Sequence, residues 1–162
     1  MHKPIETQVV EFAIGAEIFA VPVTLVREIL DYAEPYHVPN GPGYFLGLTD
    51  VRGQGVPTVD FRRRLGLPGV EPTLATRILI LDLPRGQGVL TLGVVIDRVL
   101  GVTGLEARAI ESAPDIGVRW DSDYITGIVR REGGFLVIVD IARIFTEQDT
   151  GFALPDDAFE FP

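Results

Sequence analysis

The sequence predicts an all-β protein made of two small, related barrels with a few short helices. Three features predict it. The chain of 162 residues breaks into short runs of Val, Ile, Leu and Phe punctuated by Gly, Pro and Asp; helical periodicity is scarce; and one stretch recurs later in the chain. With 46% hydrophobic residues, a chain of this length can bury a core as one domain or two small halves.

In order along the chain, QVVEFAIG (residues 8–15) and IFAVPV (18–23) are apolar runs on either side of a Gly15 turn and predict the first hairpin. Residues 24–30 predict a short helix, with Thr24 as N-cap and Val26, Ile29 and Leu30 on one face. FLGLTDVRG (45–53) and GVPTVDF (55–61) predict two strands joined by a tight Arg52-Gly53 turn. Pro57 cannot donate a ladder hydrogen bond and so belongs at an edge or bulge. A helical turn follows at 61–65, N-capped by Asp60, and the Pro- and Gly-rich segment 66–76 marks a change-over. TRILILDL (76–83) and LTLGVVIDRVLGV (90–102) continue the strands. YITGIVRREGG (124–134) and FLVIVDI (135–141) form a last hairpin, and Asp140 opens a short helix at 140–145.

The recurrence relates residues 44–60 to 124–140 at a constant offset. Tyr44 matches Tyr124, Gly47 matches Gly127, Gly53 matches Gly133, Val59 matches Val139 and Asp60 matches Asp140. Two copies are too few for a solenoid, whereas paired barrels remove the exposed strand edges of an open sheet. The expected organisation is a domain over residues 8–146, with a first unit at 8–68, a second at 76–146, and exchange of strands between them allowed. An acidic tail, 147–162, carries five acidic and no basic side chains and is expected to be mostly solvated, with a partner-binding segment or a packed-back strap as the lesser reading.

A net charge of −9 opposes a phosphate backbone, so nucleic acid is not an expected partner. The absence of cysteine removes disulfides, thiolate nucleophiles and Cys-ligated zinc. No secretion signal starts the chain and no apolar run reaches the about 18 residues of a spanning helix, so a cytoplasmic protein without membrane insertion is expected. The only histidines, His2 and His37, are far apart, and neither a P-loop nor a dinucleotide fingerprint is present. The Gly53-Gln54-Gly55 and Gly86-Gln87-Gly88 triplets read as turns, as does the WDSD at 120–123. No catalytic residue, metal site or cofactor is therefore assigned. Asp60, Asp97 and Asp140 are read as capping carboxylates, and Arg62, Arg63 and Arg64 as a solvated face. Thirteen of the fourteen basic residues are arginine, which suits protein contacts and equally reflects genomic composition.

Four stretches carry a resemblance: VEFAIGAEIFAVPVTLVREIL, VPNGPGYFLGLTDVRGQGVPTVDFRRRLG, GVVIDRVLGV and YITGIVRREGGFLVIVDIARIF. In order, over about residues 9–145, they resemble the CheW family of chemotaxis coupling proteins. The most specific elements are Val26-x-Glu28-Ile29, the entry Val38, Pro39, Pro42, Tyr44, and the hairpin set Gly47, Arg52, Gly53, Pro57, Asp60. The resemblance implies two five-stranded SH3-like barrels sharing a core. It also implies a non-enzymatic adaptor joining the histidine kinase CheA, through its regulatory domain, to the cytoplasmic tips of methyl-accepting chemoreceptors, and so recruited to membrane-associated arrays.

Residue by residue, the resemblance puts Glu28, Arg52, Gly53 and Gly47 on the receptor side. Tyr44, Phe45 and Leu46 are read as an apolar cluster for the kinase, and Arg52 as projecting without strain from a Gly-braced turn. Without the resemblance, Arg52 is a surface arginine whose stem packs on the barrel and Glu28 a solvent-facing helix residue. The chain departs from the family at Thr49, Asp50 and Val51, where an apolar residue, Asn and Leu are usual, and at Gly55 and Phe61. Two other readings stay open: the same adaptor in a pilus-motility or other non-flagellar pathway, and a ligand-binding barrel or unrecognised hydrolase.

Overall fold

The computed structural model describes residues 6–39, 41, 43–112 and 124–145, and the backbone of 159–160. His2, Pro42, the turn at 120–123 and, apart from that backbone, the acidic tail lie outside the described residues. The strands are β1 (Glu6–Ile14), β2 (Glu17–Pro22), β3 (Val26–Asp31), β4 (Phe45–Val51), β5 (Gln54–Asp60), β6 (Arg77–Arg85), β7 (Gly88–Ile96), β8 (Arg98–Glu106), β9 (Ile110–Glu111), β10 (Ile125–Arg131), β11 (Gly134–Val139) and β12 (Phe159–Glu160). The helices α1 (Phe61–Arg64) and α2 (Ile141–Ile144) are single turns, capped by the Asp60 and Asp140 carboxylates, which accept from the Arg62 and Arg143 N–H groups.

The helix expected at 24–30 is corrected to a strand. Only Val23–Leu25 forms a 3-10 turn, with no side-chain cap from Thr24, and Val26–Asp31 is β3. Its burial alternates, with Val26, Glu28 and Leu30 half-buried and Arg27, Ile29 and Asp31 exposed. Tertiary pairing overrode a weak local signal: β3 pairs antiparallel with β6 from Asp31–Arg77 to Val26–Leu81, and its β-branched residues suit that role.

The sheets do not follow the two halves of the chain. One runs β8-β1-β2-β11-β10-β9; the other runs β12-β5-β7-β6-β3, with β4 on β5. Each contains one parallel pair, β2 with β11 and β5 with β7, at which the chain's halves interlock. Each sheet also begins and ends on neighbouring stretches of chain. β8 and β9 are joined by the 3-10 turn Ala107–Ala109, and Tyr36, just beyond β3, bridges to Leu48 of β4. The sheets therefore curl shut as SH3-like barrels: β3 to β7 form one, with β12 added, and β1, β2, β10, β11 and the broken strand β8–β9 form the other.

Apolar runs such as Ile78-Leu79-Ile80-Leu81 have both faces buried. Ile78 and Ile80 fill one barrel with Val51 and Val56, while Leu79 and Leu81 face a core shared by both barrels. Phe61 is at the middle of that shared core, 5.4 Å from the Phe12 ring and 5.1 Å from Phe19. The second barrel encloses Val9, Ala20, Leu105, Val129, Leu136 and Ile138.

The sequence repeat is also a structural one. Asp60 N–H donates to the Tyr44 carbonyl at 2.7 Å, and Asp140 N–H to the Tyr124 carbonyl at 2.8 Å. Both hairpins shift register at the matching place, between Phe45 and Gly47 and between Ile125 and Gly127. Pro57 sits opposite Leu48, whose N–H and C=O point away to Tyr36, so its own nitrogen faces the other side of β5. There it falls between the β12 pairs at Gln54 and Gly55 and the β7 pairs that begin at Thr58, a gap in the ladder where no donor is needed.

Candidate functional site: the arginine hairpin

The β4–β5 hairpin turns on Arg52 and Gly53, with φ of +53° and +87°, both positive as a type I′ turn requires. Glycine adopts that conformation without penalty. Arg52 does not, and it is the one non-glycine residue with positive φ among the described residues. The expectation that Arg52 projects without strain is thus corrected: the arginine itself occupies the left-handed region.

The turn is held from the side by Asp50, whose Oδ1 accepts the Gly53 N–H at 2.9 Å. The Arg52 side chain is 82% exposed, and its Nε lies 3.4 Å from Glu28 Oε2 on β3, whose side chain is 22% exposed. Folding therefore brings Glu28 and Arg52 together from separate hydrogen-bonded neighbourhoods of one barrel. Beside Glu28, Ile29 is 40% exposed on the side of β3 that pairs with core residue Leu79.

Gly47 is buried under this surface. With φ +130°, a β-carbon built on it would lie 2.0 Å from the Tyr36 carbonyl oxygen, so the position admits only glycine while the Tyr36–Leu48 bridge is intact. Of the apolar trio at the start of β4, Tyr44 is only 7% exposed and packs 5.4 Å from the Phe145 ring. Phe45 and Leu46 are half-buried. The three do not form one exposed cluster; Tyr44 is core, and the accessible part is Phe45 and Leu46.

The triple arginine does not form a solvated face, which corrects that expectation. Arg62 holds Asp97 through Nε–Oδ1 and Nη2–Oδ2, both at 3.0 Å, and Asp97 also accepts the Gly15 N–H at 2.7 Å. Arg64 reaches across the repeat. Its Nε donates to the Ile144 carbonyl at 2.7 Å, its Nη2 to the Tyr124 hydroxyl at 2.9 Å, and its guanidinium lies 5.9 Å from the Tyr44 ring centre and 5.2 Å from that of Tyr124. Ile144 occupies in the second copy the place of Arg64 in the first, so the Arg64–Ile144 bond joins matching positions of the two copies. Only Arg63 is half exposed, 3.3 Å from Asp60.

A cavity of about 300 Å³ opens beside Leu46, Asp60 and Arg62, bounded by Tyr32, Glu34, Val70 and Glu71 among others. Burial pushes the Asp60 carboxyl up from its ordinary value, against the pull of the Arg62 N–H and of Arg63. Burial, followed by the charges of Glu34, Asp60 and Glu71, pushes the Tyr32 phenol up. Asp60 and Asp97 are already engaged by Arg63 and Arg62, and no nucleophile is set against a base here. Among the described residues, no three His, Asp or Glu side chains converge in a way that would hold a metal ion.

The family model described as CheW-like domain matches residues 8–149. The chain belongs to the CheW-like family. A chemotaxis protein CheW of Bacillus subtilis is 32% identical over 152 residues, covering 93% of this chain and 94% of the relative. That of Klebsiella aerogenes is 30% identical over 138 residues, covering 85% and 81%. The crystal structure of the scaffolding protein TtCheW from Thermoanaerobacter tengcongensis shares the fold, with a TM-score of 0.77 at 22% identity over 89% of this chain and 90% of that one.

Within this CheW-like chain, the residues assigned to the receptor side by resemblance lie on one barrel: Arg52, Gly53 and Glu28 at its surface, Gly47 beneath. Sequence reading missed Ile29 as an exposed residue, since a helix 24–30 would have turned it inward. It also missed Arg64 as the tie between copies, although an arginine aligned with Ile144 was a visible signal.

Proposed function

We propose that this chain is a non-enzymatic adaptor that couples the cytoplasmic tips of chemoreceptors to the histidine kinase CheA. The observation that carries the reading is the arginine hairpin. Left-handed backbone at a non-glycine residue costs about 1–3 kcal/mol and persists where its surroundings enforce it, commonly at functional positions. Here that cost supports a side chain 82% exposed to solvent. An exposed ion pair with Glu28 returns only about 0–1 kcal/mol, so the fold gains little from presenting Arg52. A guanidinium held this way is suited to bidentate capture of a partner carboxylate.

Receptor contact runs over Arg52, Gly53 and Glu28, with Gly47 keeping the strand close to Tyr36. The kinase surface runs over Phe45 and Leu46, with Tyr44 supporting it from the core. The relatives named as chemotaxis proteins support the chemotaxis part of this reading, and the solved scaffolding protein supports its fold. No described helix is long and apolar enough to cross a membrane.

The test is a pair of binding assays with the Arg52→Glu variant, one against a receptor cytoplasmic fragment and one against the kinase regulatory domain. Receptor binding should fall at least tenfold through charge repulsion, kinase binding should persist, and the melting temperature should hold. Unimpaired receptor binding refutes the assignment. Leu46→Asp should show the opposite pattern, losing the kinase and keeping the receptor.

A further inference from the structure

Residue 50 does two separable things. Its Oδ1 accepts the Gly53 N–H at 2.9 Å, and this closes the side of the turn that the hairpin ladder leaves open. That task needs one acceptor oxygen, which an asparagine would also supply, as a weaker neutral acceptor. The aspartate adds a negative charge that reaches beyond the turn, at an exposed position next to Arg52.

The charges around the tip give this surplus a direction. Arg52 is the exposed cation, with Glu28 3.4 Å away on the next part of the barrel. Asp50 and Glu28 together outnumber Arg52, so the tip is a cation bordered by two carboxylates, with net charge −1. The Gly53 N–H is already engaged by Asp50. What the tip offers is one guanidinium and, beside it, a carboxylate held in place by the turn.

We propose that Asp50 sets the charge specificity of the hairpin, selecting a protein partner segment that carries a lysine or arginine opposite Asp50 beside the acidic side chain that meets Arg52. The inference rests on the adaptor reading and identifies the chemistry of the receptor segment. A partner with an acidic residue alone meets the carboxylates of Asp50 and Glu28 as repulsion; a partner of mixed sign satisfies both parts of the tip. Like charges across a contact are a strong source of discrimination, and charges at an interface rim act mainly on association rate and its salt dependence.

The experiment uses the full chain and the cytoplasmic tip fragment of a receptor encoded beside it. Asp50→Asn keeps an acceptor and should lower the melting temperature by less than Asp50→Ala does, while affinity falls about two- to fivefold and association becomes less sensitive to salt. Asp50→Lys should lower affinity at least tenfold, and replacing the fragment's basic residue by glutamate should restore binding to Asp50→Lys while weakening binding to the unmodified chain. Unchanged affinity and salt dependence in Asp50→Asn, or no restoration in the charge-swapped pair, overturns the proposal. Arg52→Glu is run alongside: if it abolishes binding while the Asp50 variants do nothing, the hairpin is the receptor surface and Asp50 is not its selector. If Arg52→Glu also binds normally, the adaptor reading itself fails at this surface.

Discussion

Replacing Gly47 by alanine tests whether the hairpin's shape depends on a missing side chain. The new β-carbon would stand 2.0 Å from the Tyr36 carbonyl oxygen and 2.8 Å from its carbon, inside the 3.0 Å that β-carbons keep from other heavy atoms. Both obstacles are backbone, so no rotamer change relieves them. Relief requires Tyr36 to move off β4, and with it go the Tyr36 N–H to Leu48 and Leu48 N–H to Tyr36 bonds, at 2.7 and 2.9 Å, worth about 1 kcal/mol each. The φ of +130° adds about 1–3 kcal/mol of strain for a residue with a β-carbon. Gly47→Ala should therefore cost about 3–5 kcal/mol, a large part of a typical total of about 5–15.

The repeat supplies an internal control. At Gly127 the nearest atom is Ile110 Cγ2 at 2.5 Å, on a side chain that can shift without breaking a backbone hydrogen bond, although its β-branched χ1 is stiff, and the Glu111 carbonyl is 3.2 Å off. Gly127→Ala should cost the about 1–3 kcal/mol of an overpacked core. Urea unfolding of the two variants measures the difference, which should be about 2 kcal/mol with Gly47→Ala the weaker protein. A Gly47→Ala protein within 1 kcal/mol of the parent, or a costlier Gly127→Ala, would refute the reasoning. Any loss of receptor binding in Gly47→Ala should follow the loss of folded protein, unlike that of Arg52→Glu.

Arg64→Leu removes hydrogen bonds to Ile144 and Tyr124 and the contacts with both tyrosine rings, and should cost about 2–3 kcal/mol by chemical denaturation; Arg63→Leu, which breaks a half-exposed pair, should cost less than about 1. Glu11 is buried and bound through Oε2 to Arg131 Nη2 at 2.8 Å, and that hydrogen bond holds its carboxyl below the ordinary glutamate value of 4.5. A lowered folded pKa means stability that is present above 4.5 and lost as pH falls through the folded value, so Glu11→Gln should flatten the acid limb of a stability-against-pH curve. Asp60 acts in the opposite sense: its raised pKa means the folded state holds the proton more tightly, so Asp60→Asn should remove a small loss of stability seen as pH rises past the ordinary aspartate range. Asp50→Ala should lose more than Asp50→Asn, about 0.5–1.5 kcal/mol with the Gly53 N–H bond, read as a lower melting temperature.

Much of this protein is local in sequence and was legible there. The matched Tyr, Gly, Gly, Val and Asp of 44–60 and 124–140 are positions where backbone geometry leaves few choices: a bulge, a turn with positive φ, a helix cap. The turn glycines Gly53 and Gly133 and the capping Asp60 and Asp140 are satisfied within a few residues, so the two hairpin turns, their capped helical turns and the place of Pro57 follow from the chain itself, whereas Gly47 answers to the Tyr36 carbonyl and Tyr44 and Val59 to the shared core. What the sequence could not decide is which strands meet across long separations. Residues 24–30 suit a helix or a strand almost equally in isolation, and β6 decided the matter by supplying a paired edge. The parallel pairs β2–β11 and β5–β7 are set by closure of two barrels around one core, a property of the whole chain. The same holds for charge. Three adjacent arginines look alike in sequence; only folding puts Asp97 before Arg62, solvent before Arg63 and the second copy's tyrosine before Arg64. Glu28 and Arg52 became neighbours because barrel closure brings β3 alongside the tip of β4–β5, and the turn that carries Arg52 forced it into a conformation that its residue type would not choose alone.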